Sequence, residues 1–376
     1  MRMILFISFM ISAFFVNAQY QKVKPIEIRT FKMSKFPIAD FPKRSISISD
    51  IQVMQMLRDS ITLGYAMKGM DNHVIVLVSE KPPTNFLQEG IYKMYQDNFK
   101  KEGARILWII KDLRIGEKAG FNQYSYLRFN ADAYISNDLI QYKPVCTIDT
   151  VFVSESGADV TAWHGEHIED AFKILLKRTL QTGKNIVEQN TAGGLTIEII
   201  KDLSKPQINV PILNDEVYRE GAYANFEEFL QNRPSVTNFR VFSIGKEKQI
   251  KFVKISENNQ ADTVNIWGLC KGGEIYKFNE GLLVSIEKQR NGFIISNYVE
   301  QASRRNSGIA VNAFFAGMVG GIMGGIAGGL IVGITATKTN LSGSEFSLIK
   351  SIPYITKAKK QPEATCIDMK TGELSF

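Results

Sequence analysis

The sequence predicts an α+β protein: an N-terminal sheet with two helices on one face, then an antiparallel β-rich domain and a C-terminal glycine-rich hydrophobic helix. Three observations lead there. Between residues 73 and 180, strand-like apolar runs are interleaved with two helical stripes. Between residues 266 and 296, two hairpin signatures follow one another. From Gly308 to Ala336 the chain is uncharged and glycine recurs every fourth residue. A chain of 376 residues, 44% hydrophobic and 22% charged, has the length of two ordinary domains plus appendages and the composition of a globular protein.

The first element is a leader. Met1-Arg2-Met3 is a short basic start, Ile4 to Val16 is almost wholly apolar, and Val16-Asn17-Ala18 precedes an expected cleavage ahead of Gln19. This is an export signal. The first cysteine is Cys146, which excludes lipid attachment at a mature N-terminal cysteine. The formal net charge of +7 comes from scattered basic residues, as at Lys100-Lys101 and Lys359-Lys360. Solvated faces explain these pairs better than a groove tracking phosphates, and nucleic acid is not an expected partner of an exported chain.

The reading divides the chain into the leader at 1–18, an extension at 19–49, an α+β domain at 50–182, a connection at 183–206, a β-rich domain at 207–300, the glycine segment at 308–336 and a tail at 337–376. In the first domain, His73 to Ser79 is a short apolar strand. Pro82-Pro83 breaks it, and Thr84 or Asn85 can cap a helix whose apolar face is Phe86, Leu87, Ile91, Met94, Tyr95 and Phe99. Ala104 to Ile115 reads as a long buried strand. Tyr126 to Ile135 alternates, with Leu127, Phe129, Ala131, Ala133 and Ile135 on one side, and Val145 to Val153 is a further strand. Ile168, Ala171, Phe172, Leu175 and Leu176 form the stripe of a second helix, capped from Asp159 to Thr161 or from Gly165. This order implies a sheet with both helices on one face.

The connection holds Gly193-Gly194 and a strand candidate at Leu195 to Ile200. Beyond it, Phe226, Phe229 and Leu230 mark a short amphipathic helix stopped before Pro234. Lys271-Gly272-Gly273 and Asn291-Gly292 are hairpin turns between apolar runs, the second being the strongest such signal in the chain.

In the glycine segment, Gly317, Gly321, Gly325, Gly329 and Gly333 form one row, and Gly320, Gly324 and Gly328 run beside it. At helical spacing the rows merge into a face without side chains, a glycine zipper suited to close helix contact in a membrane. Ala313 to Ile334 spans about 33 Å as a helix at ~1.5 Å per residue, enough for the hydrocarbon layer. In water each glycine costs about 1 kcal/mol in a helix interior, whereas lipid enforces internal hydrogen bonding. Membrane lipid and further copies of the chain are therefore the expected partners. A re-entrant hairpin broken near Gly320 and Gly321 is the alternative to one span.

In element order, residues 73 to 180 resemble the domain of small periplasmic lipoproteins of the YajG type and related transport-auxiliary lipoproteins, although the lipidated cysteine is missing. That resemblance implies a non-enzymatic accessory role in the envelope. The stretch Gly221 to Ser235, with Ile266 to Tyr276, the glycine segment and Ile367 to Leu374, is similar to exported proteins of unassigned function in Bacteroidota. The similarity implies an envelope protein and transfers no catalytic residue.

Chemical candidates are few. Trp163-His164-Gly165-Glu166-His167 sets two imidazoles three residues apart near a helix start, where a carboxylate would complete a zinc or copper site. The spacing is neither HExxH nor HxxEH, no third ligand is identifiable, and a polar helix entrance is the plainer reading. Glu227-Glu228 points to different helix faces and reads as solvated. Ser154 lacks the Gly-x-Ser-x-Gly elbow, and Thr182-Gly183-Lys184 lacks the upstream glycine of a phosphate loop. Cys146, Cys270 and Cys366 are an odd number without a CxxC, so one disulfide plus a free thiol and buried strand thiols both stay open. No cofactor is expected. The preferred reading is a non-enzymatic cell-envelope protein whose exported domains bind an envelope partner while the glycine helix anchors and self-associates. The alternatives are a soluble periplasmic binding module with the glycine segment buried in its own fold, and a metal-dependent enzyme using His164 and His167.

Overall fold

The computed structural model describes residues 26–32, 41, 46–57, 62–69, 72–120, 122–189, 193–205, 210–244, 249–255, 261–279, 281–289, 292–296, 298–299, 302–303 and 362–376. The leader at 1–18 and the glycine segment at 308–336, with both of its glycine rows, lie outside the described residues. Among the described residues no helix is long and apolar enough to cross a membrane. The chain is mixed α+β.

The first sheet holds β1 (Ile28–Phe31), β2 (Ile48–Gln55), β3 (Thr62–Lys68), β4 (His73–Ser79), β5 (Ala104–Lys118), β6 (Gln123–Ser136) and β7 (Lys143–Ser156). Its order is β1-β4-β3-β5-β6-β7. β5, β6 and β7 form an antiparallel meander. On the other edge of β5 two strands share one long partner. β2 runs parallel to Ala104–Ile110, and β3 meets β5 further along, where Gly64 lies opposite Ile115. That approach requires glycine: Gly64 has φ +139°, and a Cβ there would fall 1.9 Å from the Ile115 carbonyl oxygen.

β1, β2 and β3 were not read from the sequence, and the extension at 19–49 in fact supplies β1 and the start of β2. The reason is local. Register shifts at Ile48/Asp50 in β2 and at Thr62/Gly64 in β3 interrupt the period-two pattern that marks a strand.

Helix α1 (Pro83–Tyr95) starts at Pro83 with no side-chain cap, not from Thr84 or Asn85. Proline at the first helical position loses no intrahelical bond, and its φ is already helical. Helix α2 (Trp163–Gln189) begins two residues before Gly165, so that glycine lies inside it. Both helices contribute to one core with Ile106, Trp108, Ile110, Leu113, Ile115, Leu127 and Phe129 of the sheet. Phe172 lies between Trp108 and Phe129, with ring centroids at 6.0 and 6.1 Å.

The connection behaves differently from its reading. Leu195 makes one bridge to Tyr142, and the next residues form helix α3 (Ile197–Ser204) instead of a strand. Thr196 supplies the cap by accepting from the Ile199 amide. Ile200 then buries against Leu107, Ile109 and Tyr142, covering the opposite face of the sheet.

One extra residue in β5 decides what each face carries. The ladder to β6 pairs Ile110 with Ala131 and Asp112 with Asn130, leaving Lys111 as a bulge. Before it, even-numbered side chains face the helices; after it, Leu113 and Ile115 do so. The bulge therefore turns Asp112, Arg114 and Gly116 to the other face and brings Glu117 round to α2.

The second body starts with α4 (Pro211–Asn214), β8 (Gly221–Tyr223) and α5 (Phe226–Leu230). It continues through β9 (Phe239–Ile244), β10 (Gln249–Ile255), β11 (Ala261–Val264), β12 (Gly268–Lys271), β13 (Glu274–Asn279), β14 (Leu282–Gln289) and β15 (Gly292–Ile295). The tail adds β16 (Cys366–Ile367) and β17 (Leu374–Ser375). One sheet runs β17-β16-β15-β14-β13-β12-β8 and a second runs β11-β10-β9, both antiparallel throughout. Gly272 and Gly273, at φ +64° and +79°, make a two-residue turn between Lys271 and Glu274. In the hairpin of β14 and β15 Gln289 pairs with Gly292, so Gly292 closes the ladder and is not a central turn residue.

Residues from Gly221 to Ser235, from Ile266 to Tyr276 and from Ile367 to Leu374 meet in one core. Phe229 lies 4.2 Å from Trp267 and 5.0 Å from Phe293 between ring centroids, and the Trp267 indole donates to the Gly372 carbonyl at 2.8 Å. Glu228 accepts from the Ala224 and Ser235 amides and from the Ser235 hydroxyl, while Asn225 accepts from the Glu228 amide. The Glu227-Glu228 pair thus contains a capping residue.

Deleting Lys111 removes the extra residue and leaves Ile110, Leu113 and Ile115 alternating on the helix face with Asp112 and Arg114 on the other, so cooperative urea unfolding should persist. Lys111→Ala keeps the bulge and should cost only about 1 kcal/mol, because it removes one half-exposed ion pair with Asp132.

Candidate functional site

Two places gather polar side chains. The first is the start of α2, where Asp159 Oδ1 accepts from the Thr161 amide at 2.8 Å and the Trp163 amide donates to the Val160 carbonyl. Within the first turns of the helix, His164 and His167 point into the protein, 0% and 5% exposed. His164 Nε2 lies 2.6 Å from Glu117 Oε1, which also accepts from Thr161 Oγ1 at 3.0 Å. The other carboxylate oxygen of Glu117 accepts from the Met67 amide at 2.6 Å. One buried carboxylate thereby joins β5, β3 and α2. His167 Nε2 lies 2.8 Å from Ser154 Oγ on β7.

The sequence placed the two imidazoles together, and their ring centroids are 6.5 Å apart. Each nevertheless serves a different strand. Nδ1 of both rings lacks a hydrogen-bond partner. Among the described residues, no three His, Cys, Asp or Glu side chains are grouped to hold a metal ion. Burial, with the neighbouring His164 adding to it, pushes His167 down to about 4 from an ordinary 6.5. A Ser–His contact is half of an activated nucleophile, but the other half is missing: no carboxylate orients His167 Nδ1, since Glu117 is bound to His164. An imidazole held near 4 is also a weak general base at neutral pH.

The second place is a cavity of about 100 Å³ between the two bodies, on the face of β5 that the bulge exposes. Its apolar walls come from Leu57, Tyr65, Ile294 and Phe376, and Thr62, Gln289 and Thr365 also line it. Asp112, Arg114 and Cys366 form one contacting polar group there. Arg114 grips Asp112 through Nε at 2.9 Å and Nη2 at 2.8 Å, and Nη1 donates to Cys366 Sγ at 2.9 Å. Burial, the largest single influence, disfavours the guanidinium charge, but Asp112 and Cys366 together outweigh it and raise the Arg114 pKa. Asp112 also lies 3.7 Å from Arg128, which pairs with Asp149, so like charges facing across β5 and β6 are each balanced. The ring of Phe376 covers Gly116 and meets Tyr126 edge-on at 6.1 Å.

Sequence reading missed this site. Its one local signal is Asp112-x-Arg114, two charges inside an otherwise apolar strand; Cys366 stands 252 residues away from its Arg114 partner. All three cysteines are free thiols: Cys270 is buried in β12, while Cys146 and Cys366 are half-buried. A further buried cation, Lys277, lies over the Trp267 ring at 4.9 Å.

No family model and no curated protein matches the chain. Among solved structures it is similar to protein XCC0632 from Xanthomonas campestris, described under family-model DUF330, at 14% identity and a TM-score of 0.28. The match covers 43% of this chain and 99% of that one. A likeness of this size transfers neither fold nor activity.

The buried histidine gives a signed pH effect. Its folded pKa is depressed, so the unfolded chain binds the proton first as pH falls. Stability should be complete above pH 6.5 and decline toward pH 4, by about 3 kcal/mol over the window. Urea unfolding across pH 4 to 7.5, compared with His167→Gln, should show this slope in the parent protein and its loss in the variant.

Proposed function

We propose that the chain is a non-enzymatic protein of the cell envelope. Exported domains bind an envelope partner, and the glycine segment at 308–336 associates with membrane lipid and with its own copies. The observation that carries the reading is where the reactive groups go. Glu117, His164, Ser154 and His167 are consumed in joints between α2 and the sheet, and Glu228 is consumed in a helix cap. The leader and the uncharged glycine rows supply the location, and neither needs a cofactor.

The tail restricts how the glycine segment meets the bilayer. Ala302 and Ala364 belong to the same core, and Tyr298 Oη lies 3.3 Å from Glu363. Cys366 and Leu374 then continue the sheet begun by β12 to β15. A chain that had crossed a bilayer once could not return these residues to that sheet. The proposal therefore takes the re-entrant form, with both ends of segment 304–361 on one side, in place of a single spanning helix.

The test compares Lys370→Cys in the tail with Lys93→Cys in the first domain, using a membrane-impermeant maleimide on cells whose outer membrane has been opened. Both sites should label together, with the protein in the membrane fraction, and Gly325→Leu should weaken cross-linked self-association. A protected Lys370→Cys beside a labelled Lys93→Cys would restore the single span. Release by osmotic shock, with association unchanged in Gly325→Leu, would favour the soluble periplasmic module.

A further inference from the structure

The cavity at the joint between the two bodies is lined by apolar side chains, by the uncharged polar residues Thr62, Gln289 and Thr365, and by the Asp112–Arg114–Cys366 group. We propose that it is a binding site for a small uncharged ligand, a short alkyl or acyl chain ending in one hydrogen-bond acceptor such as a hydroxyl or ester oxygen. This goes beyond the envelope reading and stands without it, because the lining residues the argument uses are all described, folded ones.

Size, charge and hydrogen bonding each narrow the occupant. A volume of about 100 Å³ suits one slender chain or one ring, since a cavity of ~150 Å³ lined by Leu, Ile and Phe is enough for benzene. Ordinary drug-sized ligands need roughly 300 Å³ or more and are excluded. The walls contribute little charge beyond Arg114 and Asp112, which cancel. A carboxylate drawn to Arg114 would be set beside Asp112, and an ammonium drawn to Asp112 would be set beside Arg114. A neutral molecule meets neither penalty.

The guanidinium also supplies the polar contact. Nε and one N–H on each terminal nitrogen are committed to Asp112 and Cys366. Arginine carries five donors, so one N–H on each terminal nitrogen is left for an acceptor on the ligand. An apolar body with a single acceptor answers what the cavity offers. Cys366 reports on occupancy, because it lines the cavity and pairs across the sheet with Ile294, another lining residue.

The experiment uses the purified full chain and three six-carbon probes at pH 7: 1-hexanol, hexanoate and hexylammonium. Alkylation of Cys366 by iodoacetamide is followed by peptide mass spectrometry, with half-buried Cys146, outside the cavity, as internal reference. At about ten times its Kd, 1-hexanol should slow Cys366 about tenfold and leave Cys146 unchanged, with the two charged probes weaker. Equal rates at Cys366 with and without every probe would overturn the site. Stronger protection by hexanoate would overturn the assignment to a neutral ligand.

Ile294→Trp, which fills the space beside Cys366, should slow alkylation without ligand and remove the effect of 1-hexanol. Should Cys366 resist iodoacetamide in the free protein, thermal unfolding decides. 1-Hexanol should raise the Tm of the parent relative to Ile294→Trp, and equal shifts in the two proteins would sink the proposal. None of these readouts involves a membrane, so their failure is distinguishable from failure of the envelope reading.

Discussion

The bulge at Lys111 is the constraint on which the rest of this structure depends. β5 is fifteen residues long and touches every layer of the first body: β2 and β3 on one edge, β6 on the other, both helices on one face and α3 on the opposite face. A strand of strict period two and this composition would bury Asp112 and Arg114 under α1 and α2. Charges placed there without partners would cost several kcal/mol each. One inserted residue reverses the parity at mid-strand. It puts Leu113 and Ile115 into the helical core and sends the ion pair to the second body.

The same reversal explains where the polar side chains act. Glu117 reaches α2 only because the bulge precedes it, and there it accepts from Met67, Thr161 and His164 at once. A buried carboxylate with three donors is satisfied, and each donor sits on a different element or on the approach to α2. On the other face, Arg114 extends to Cys366 of the tail and lies 5.9 Å below the Phe376 ring. Both polar groups therefore hold separate stretches of chain together. This is the physical content of a fold whose reactive residues are committed to architecture.

The tail joins the two bodies. Ile367, Met369 and Leu374 pack into the aromatic core around Phe229 and Trp267, while Phe376 packs against Tyr124, Tyr126 and Val151 of the first sheet. Met67, Val74 and Ala119 of the first body belong to the second core, and the Tyr65 ring meets Tyr298 at a tilt, 4.7 Å between centroids. Residues that follow the glycine segment in sequence are thus needed to finish structure that begins before it. Ala302 and Ala364, described residues before and after that segment in sequence, lie in the same core.

Much of the local structure was legible in the residues. The strand at His73, the proline-led helix, the meander from Ala104 to Val153, the stripe of Ile168 to Leu176 and the Gly272-Gly273 turn all follow from periodicity and turn chemistry, which act over a few residues. The sequence by itself also set His164 beside His167, since i and i+3 share a helix face. Tertiary structure alone decided what those histidines contact, because Glu117 and Ser154 arrive from strands far away in the chain. It alone decided that Leu195 to Ile200 starts a helix, where a Thr196 cap and the burial of Ile200 outweigh a β-branched run. It alone assembled Asp112, Arg114 and Cys366, since a cavity between two bodies is made by their packing and leaves no periodic trace in either one.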